Sequence, residues 1–296
     1  MSAVAALLPD GRLHLQHGPI DCLCRAWGDP AEIAAAYRQA AGFFAGVLND
    51  LCGELPLLRT PLPAPRPAGA VARAMHAACL PFAGRFITPM AAVAGAVADA
   101  VLAAMIQDRA VTRAFVNNGG DIAFHLTPRT SLRCALVTDI SIHAPAGDGE
   151  TLGSDGTFLL SAAHPARGIA TSGRACKGQG GRSFSLGIAD SVTILARTAA
   201  QADAAATIVG NAVDLPGHPA ITRRPASGID PASDLGDRLV TFGVGPLSED
   251  DANTALDAGE TMADTLLRTG LIAGAVLALR GRLRVRLPTP AMLEPA

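Results

Sequence analysis

The chain has 296 residues, 49% of them hydrophobic and only 17% charged, with a net charge of −2. That is ample apolar material for a large buried core. The near-neutral balance excludes the electrostatic footprint of a nucleic-acid binder or of a protein drawn to anionic membranes, and the 4% of aromatic residues, with one tryptophan, argue against a base-stacking platform.

In chain order, a hairpin is expected over 13–16 and 21–27, where apolar and polar residues alternate around Gly18-Pro19. Asp29-Pro30 opens a helix to about residue 48, with the proline in its first turn. Residues 56–67 are proline-dense and read as an ordered loop. Helices follow at 68–79 and 89–107, the second with Thr88 as its N-cap. From 112 to 195 the pattern becomes short strands between turns, at 114–117, 122–126, 132–138, 157–161, 168–171 and 191–196. A helix over 199–211, a polar loop over 216–236, a helix over 251–267 and a terminal hairpin complete the chain. Strands in the middle, helices toward the flanks and no βαβ rhythm give an α+β fold.

The start, Met1-Ser2-Ala3-Val4, has no basic residue, and its apolar run stops at Pro9-Asp10-Gly11, unlike a targeting leader. The most apolar stretch, 90–106, is alanine-dominated, carries Asp99 and is short for a membrane span. A soluble, cytoplasmic protein is the expectation. The six cysteines, Cys22, Cys24, Cys52, Cys79, Cys134 and Cys176, form no CxxC pair and no disulfide-like density. Length admits one large domain or two intimate ones; we read 1–296 as a single domain, with its site segment at about 88–211.

Three segments concentrate the polar chemistry. The first is Asn117-Asn118-Gly119-Gly120-Asp121 and the second Thr171-Ser172-Gly173-Arg174. Glycine beside amide, hydroxyl and carboxylate groups lets backbone N–H groups approach a ligand while side chains read it. The third holds Asp203 and Thr207, four residues apart on one helical face, able to aim two oxygens at one point. Oxygen donors suit a hard cation such as magnesium shared with ligand phosphates. Together they suggest a small phosphate-bearing ligand. Between them, Lys177-Gly178-Gln179-Gly180-Gly181-Arg182-Ser183 combines two cations with many N–H groups and could close over phosphates, although a plain surface loop fits equally well.

Each segment also has a purely structural reading. Asn117 to Asp121 fits a tight turn, Asp203 fits a helix cap, and Thr207 fits a packed helical residue. His125 and His143, each alone, suit hydrogen-bonded structural roles.

In this order and at these separations the segments resemble the ApbE-like superfamily of flavin transferases, in a divergent cytoplasmic branch. Its members carry a helix written roughly GxIAKGYAVD, then VNxGGD, a TSG segment, HHIIDPxTG and finally ADALAT. The resemblance covers about 88–211. It implies an ApbE-like fold of central mixed or antiparallel sheets flanked by helices. It further implies magnesium bound by Asp203 and Thr207 with help from a backbone carbonyl near Ala91, FAD or a related flavin as ligand or substrate, and transfer of the FMN half to a threonine of an acceptor protein. Such a reaction is phosphoryl transfer to a hydroxyl, where catalysis is mostly positioning and charge stabilisation. Asn117, Asn118, Gly119, Gly120, Asp121, Thr171, Ser172, Gly173, Arg174, Lys177, Arg182 and Ser183 would hold the cofactor.

Departures from the family pattern are equally visible. Gly95 and Asp99 keep their places in the first motif, but Ala94 stands where the family has lysine. The HHIIDPxTG segment shrinks to Ser185-Leu186-Gly187-Ile188-Ala189-Asp190, leaving Asp190 as the candidate catalytic carboxylate with neither histidine. A flavin- or nucleotide-handling, magnesium-dependent enzyme that transfers or cleaves at a pyrophosphate, a non-catalytic cofactor binder and an accessory protein with a decayed site all remain open. Alanine-rich helices and the implied fold suit close packing and a homodimer.

Overall fold

A computed structural model describes residues 2–138, 154–174, 184–288 and 292–295. The chain folds into two compact units. The first comprises Met1–Leu132, Ser161–Ala170 and Leu195–Ala204, and the second the remainder.

The first unit is built on an antiparallel ladder. β1 (Val4–Leu7), β2 (Leu13–His17), β3 (Ile20–Gly28), β4 (Val111–Asn118), β5 (Asp121–Leu126) and the start of β8 (Gly168–Ser172) lie side by side in that order. β2 and β3 form the expected hairpin because Leu13, Leu15, Cys22 and Cys24 all face the core. α1 (Pro30–Gly53) starts where the sequence indicates, with the Asp29 carboxylate accepting the Ala31 amide at 2.8 Å and Pro30 as its first residue. It buries Ala36, Ala40, Phe44 and Val47 on one face, and its Tyr37 hydroxyl donates to the Gly11 carbonyl at 2.9 Å, tying helix to sheet. A one-turn helix, α2 (Leu55–Leu58), opens the proline-rich stretch expected as loop. α3 (Ala70–Cys79) and α4 (Val93–Ile106) complete the layer.

The helix expected over 89–107 is divided. Pro89–Ala92 forms a 3-10 turn, and α4 begins only at Val93, because the Ala92 backbone (φ −127°, ψ 15°) departs from the helical path. Thr88 precedes that turn without making a side-chain capping bond. Pro89–Ile106 is long and apolar enough to cross a membrane by length and composition, and half of it is buried inside the structure. Ala96, Val97, Val101 and Met105 pack in the core.

The second unit holds most of β9 (Ser191–Ala196), followed by β12 (Gly274–Leu279) and β13 (Arg282–Arg286) in one ladder. β14 (Met292–Pro295), β7 (Gly156–Ser161) and β6 (Ser131–Leu136) form another. α5 (Ala199–Ala212) starts in the first unit and ends in the second. α6 (Glu249–Arg268), opened by a Ser248–Asp251 capping box, lies against β12 and β13. The loop expected over 216–236 contains β10 (Ile221–Pro225), which pairs with β11 (Leu239–Val244). This ribbon buries only Val240, so it has no buried face to imprint an alternating pattern. β1, exposed along its whole length, likewise carries no alternating signal in the sequence.

Candidate functional site: a carboxylate pair at the amino end of a helix

The first polar segment is a hairpin turn. Gly119 and Gly120 join β4 to β5 with φ of 63° and 108°, left-handed values that a two-residue turn of this kind requires. The Asn117 side chain accepts the Gly120 amide at 2.8 Å. Nothing stands within 4 Å of where a Cβ would sit on either glycine, so both are there for the turn. The turn sets Asn118 opposite Asp121, both buried, at the end of the ladder.

Those two side chains meet the first turn of α4. Asn118 Nδ2 donates to the Ala94 carbonyl at 3.1 Å. Asp121 is hydrogen-bonded to Asp203, and Asp203 accepts the Gly95 amide at 3.1 Å and the Ala94 amide. Two carboxylates in hydrogen-bond contact share a proton. Asp203 retains some solvent access, yet dense packing around it makes burial the largest influence on its carboxyl, which is pushed up to about 7. The two amides and the Asp121 bond pull against that rise, and the Asp99 charge adds to it. Nearby Cys79 is buried, and its thiol is pushed well above the usual range, first by burial and then by the Asp203 charge.

Asp99, two turns into α4, reaches the start of α5. Its two oxygens accept the amides of Ala199 and Ala200, each at 2.9 Å. Thr198 accepts the Gln201 amide at 3.2 Å, and its side chain is hydrogen-bonded to Asp99. The opening amides of α5 are thereby satisfied. The caps are reciprocal: Asp99 from α4 closes the amino end of α5, while Asp203 from α5 closes the amino end of α4. Ala92, at the head of α4, makes no cap bond of its own. At Gly95 the approach is so close that a Cβ would overlap the Ala199 carbonyl.

In the second unit, Thr171 and Thr193 hydroxyls lie 2.9 Å apart. Gly173 lies against the Asp190 carbonyl where a Cβ would overlap it, and the Arg174 amide donates to Ala189 at 3.0 Å. The Asp190 carboxylate accepts the Arg280 amide, and its own N–H donates to Ala278 at 3.0 Å. Arg174 stands near both Asp190 and Arg280, its guanidinium lowered by burial. Ser172 is half-buried on the same strand.

A family model described as AbpE bacteria matches residues 5–285. The chain belongs to that family. UPF0280 proteins of three archaea are similar to it. That of Methanococcus maripaludis is 37% identical over 126 residues, 42% of this chain and 45% of the relative. That of Methanospirillum hungatei is 35% identical over 130 residues, 44% and 46% of the two chains. That of Methanothrix thermoacetophila is 36% identical over 163 residues, 54% and 59%. The chain thus spans about half the length of the curated relatives it matches. The crystal structure of the ApbE protein from Thermotoga maritima aligns with 89% of this chain and 78% of its own at 14% identity, with a TM-score of 0.35.

Within this AbpE-family chain, the structure brings Asn118, Asp121 and Asp203 together around the amino end of α4. Asn117, Gly119 and Gly120 build the turn that places them. Thr207, four residues beyond Asp203 in α5, is half-buried and belongs to the second unit. Thr171, Ser172, Gly173, Arg174 and Asp190 gather in the second unit as described. Lys177, Arg182, Ser183, His143 and Cys176 lie outside the described residues. His125 is the penultimate residue of β5.

Neither the pairing of Asp203 with Asp121 nor the role of Asp99 is expected from the sequence. One signal was available for the second: a glycine inside a helix, four residues before an aspartate, marks a close approach followed by a capping reach. Among the described residues no three His, Cys, Asp or Glu side chains converge as a metal cage. The donor chemistry present is instead a pair of adjacent carboxylates that need a shared proton or a cation between them. That fits magnesium, which takes one or two carboxylates and completes its shell with water and ligand phosphates.

Proposed function

We propose that this protein binds FAD or a related phosphate-bearing flavin together with magnesium. The observation that carries the reading is the Asp121–Asp203 pair held on the amino end of α4. Two carboxylates pressed together at a helix terminus form a site that exchanges a proton for a hard cation, and membership of the AbpE family supports a flavin as the partner of that cation. When bound, the metal would neutralise pyrophosphate charge. The chain's own part is to fix both carboxylates by hydrogen bonds, so that little reorganisation is needed on binding.

In the transfer reaction, the FMN phosphorus would form a bond to an acceptor hydroxyl and break its bond to the AMP oxygen. The hydroxyl proton would pass to a general base. A second reading, a binder without transfer, is favoured by one observation. Ala94, at the family's lysine position, spends its N–H on Asp203 and its carbonyl on Asn118, and carries no charge.

Titration of FAD into the protein with and without magnesium tests the reading. Asp203→Asn keeps an acceptor for the α4 amides but loses the charge. Magnesium-dependent FAD binding by the parent, at least tenfold weaker in Asp203→Asn, is expected. Absence of FAD binding by the parent sinks the flavin reading, and an unchanged Asp203→Asn sinks the metal assignment. Mass analysis of a threonine-containing acceptor peptide incubated with FAD then separates transferase from binder.

A further inference from the structure

We propose that Asp99 is the positioning residue of the acidic site: by holding the first amides of α5, it sets where Asp203 stands on the amino end of α4. The hydrogen bonds of the Asp99 carboxylate go to the head of α5. Its oxygens go to Ala199 and Ala200, one to each at 2.9 Å. Those amides open the helix whose next turn carries Asp203. A bidentate grip on two successive amides fixes both rotation and advance of α5, as a single contact would not. Rotation matters because a turn of 100° per residue carries any side chain off its target within one residue's slip.

Three further contacts show how narrow the setting is. The Gly95 Cα is pressed against the Ala199 carbonyl, and a Cβ on Gly168 would overlap Thr198 and Ala199. The head of α5 is thus clamped between α4 and β8. The Gly95 amide receives its acceptor from Asp203, at 3.1 Å. The clamp sets the spacing, and Asp99 sets the register. An aspartate that only capped its own neighbour helix would leave the Gly95 amide unaffected when removed.

The inference toward cation binding rests on the reading of Asp121 and Asp203 above, but the positional claim has its own measurement. Amide exchange at Gly95 and at Ala199–Gln201 is followed by NMR in the parent, Asp99→Asn and Asp99→Ala. Val101→Ala, a core change in the same helix, serves as a control for lost stability. Binding of Mn²⁺ alone is followed by its electron spin resonance signal.

Asp99→Ala should speed exchange at Gly95 at least tenfold, with Asp99→Asn intermediate because its amide oxygen still accepts one of the two bonds. Val101→Ala should leave Gly95 protected. Mn²⁺ affinity should fall tenfold or more in Asp99→Ala, in the same order across the series. If only Ala199 and Ala200 open while Gly95 exchange and Mn²⁺ affinity hold, Asp99 is a local cap and the proposal is overturned. If the parent binds no Mn²⁺, the cation reading fails, and Gly95 exchange still decides the role of Asp99. Should Asp99→Ala not fold, Asp99→Asn carries the comparison, and parent-like Gly95 exchange in it overturns the proposal.

Discussion

Asp203 unites two burdens in one side chain, a cap and a charge. Its oxygens satisfy amides at the head of α4, as a good N-cap does for about 1 kcal/mol. Its ionisation is opposed by burial and by the Asp99 charge, and favoured by the two amides and the Asp121 bond. Because its folded pKa is raised above the ordinary 3.8, the linked stability is fully present below pH 3.8 and is lost as pH rises through about 7. Asp99, raised by burial as well, adds with the same sign. In metal-free buffer the parent should therefore weaken between pH 5 and pH 8. Asp203→Asn keeps the cap without the ionisation and should weaken less, by about 2 kcal/mol over that interval, since each pKa unit is worth about 1.4 kcal/mol and the pair shares the shift. Urea midpoints of both proteins at the two pH values measure this; parallel pH slopes would show that Asp203 does not carry the proton.

At the scale of elements, the same glycine substitution should have opposite signs in two helices. Gly42, exposed in α1, has nothing within 4 Å of a would-be Cβ. Gly42→Ala should stabilise by about 0.5–1 kcal/mol through helix propensity alone. Gly95 in α4 faces the Ala199 backbone, and a backbone cannot swing aside like a side chain. Gly95→Ala should cost about 2 kcal/mol net, the overpacking exceeding the propensity gain. Thermal unfolding of both variants reads the contrast, and stabilisation by Gly95→Ala would show that the two helices can separate freely. This pair also marks what was legible in the sequence. β2, β3, β4 and β5 could be read because one face of each is buried and imprints a period of two. β1 lies exposed and β10 and β11 bury only Val240, so they carry no such imprint. The Asn118–Asp121 turn was legible because its two glycines are local. The α4–α5 brace was not, since Asp99 and Ala199 stand 100 residues apart and nothing near either one names the other.

For the whole molecule, proton and cation compete for one place, so global stability should report the exchange. A ligand that binds only the folded state at a hundred times its Kd adds about 2.7 kcal/mol to unfolding. At low pH the Asp121–Asp203 pair keeps its proton, and the cation must displace it. At high pH the proton is gone, and the cation relieves a repulsion that the metal-free fold has to bear. Magnesium at a fixed concentration should consequently raise the melting temperature little at pH 5 and much more at pH 8, reversing the weakening of the metal-free protein. Calorimetric titration with magnesium in two buffers of different ionisation enthalpy should show release of about one proton per cation near pH 6, fading as the pH rises. In Asp203→Asn both the pH-dependent stabilisation and the proton release should vanish. A magnesium stabilisation that is flat with pH, or one that survives in Asp203→Asn, would move the cation away from this pair.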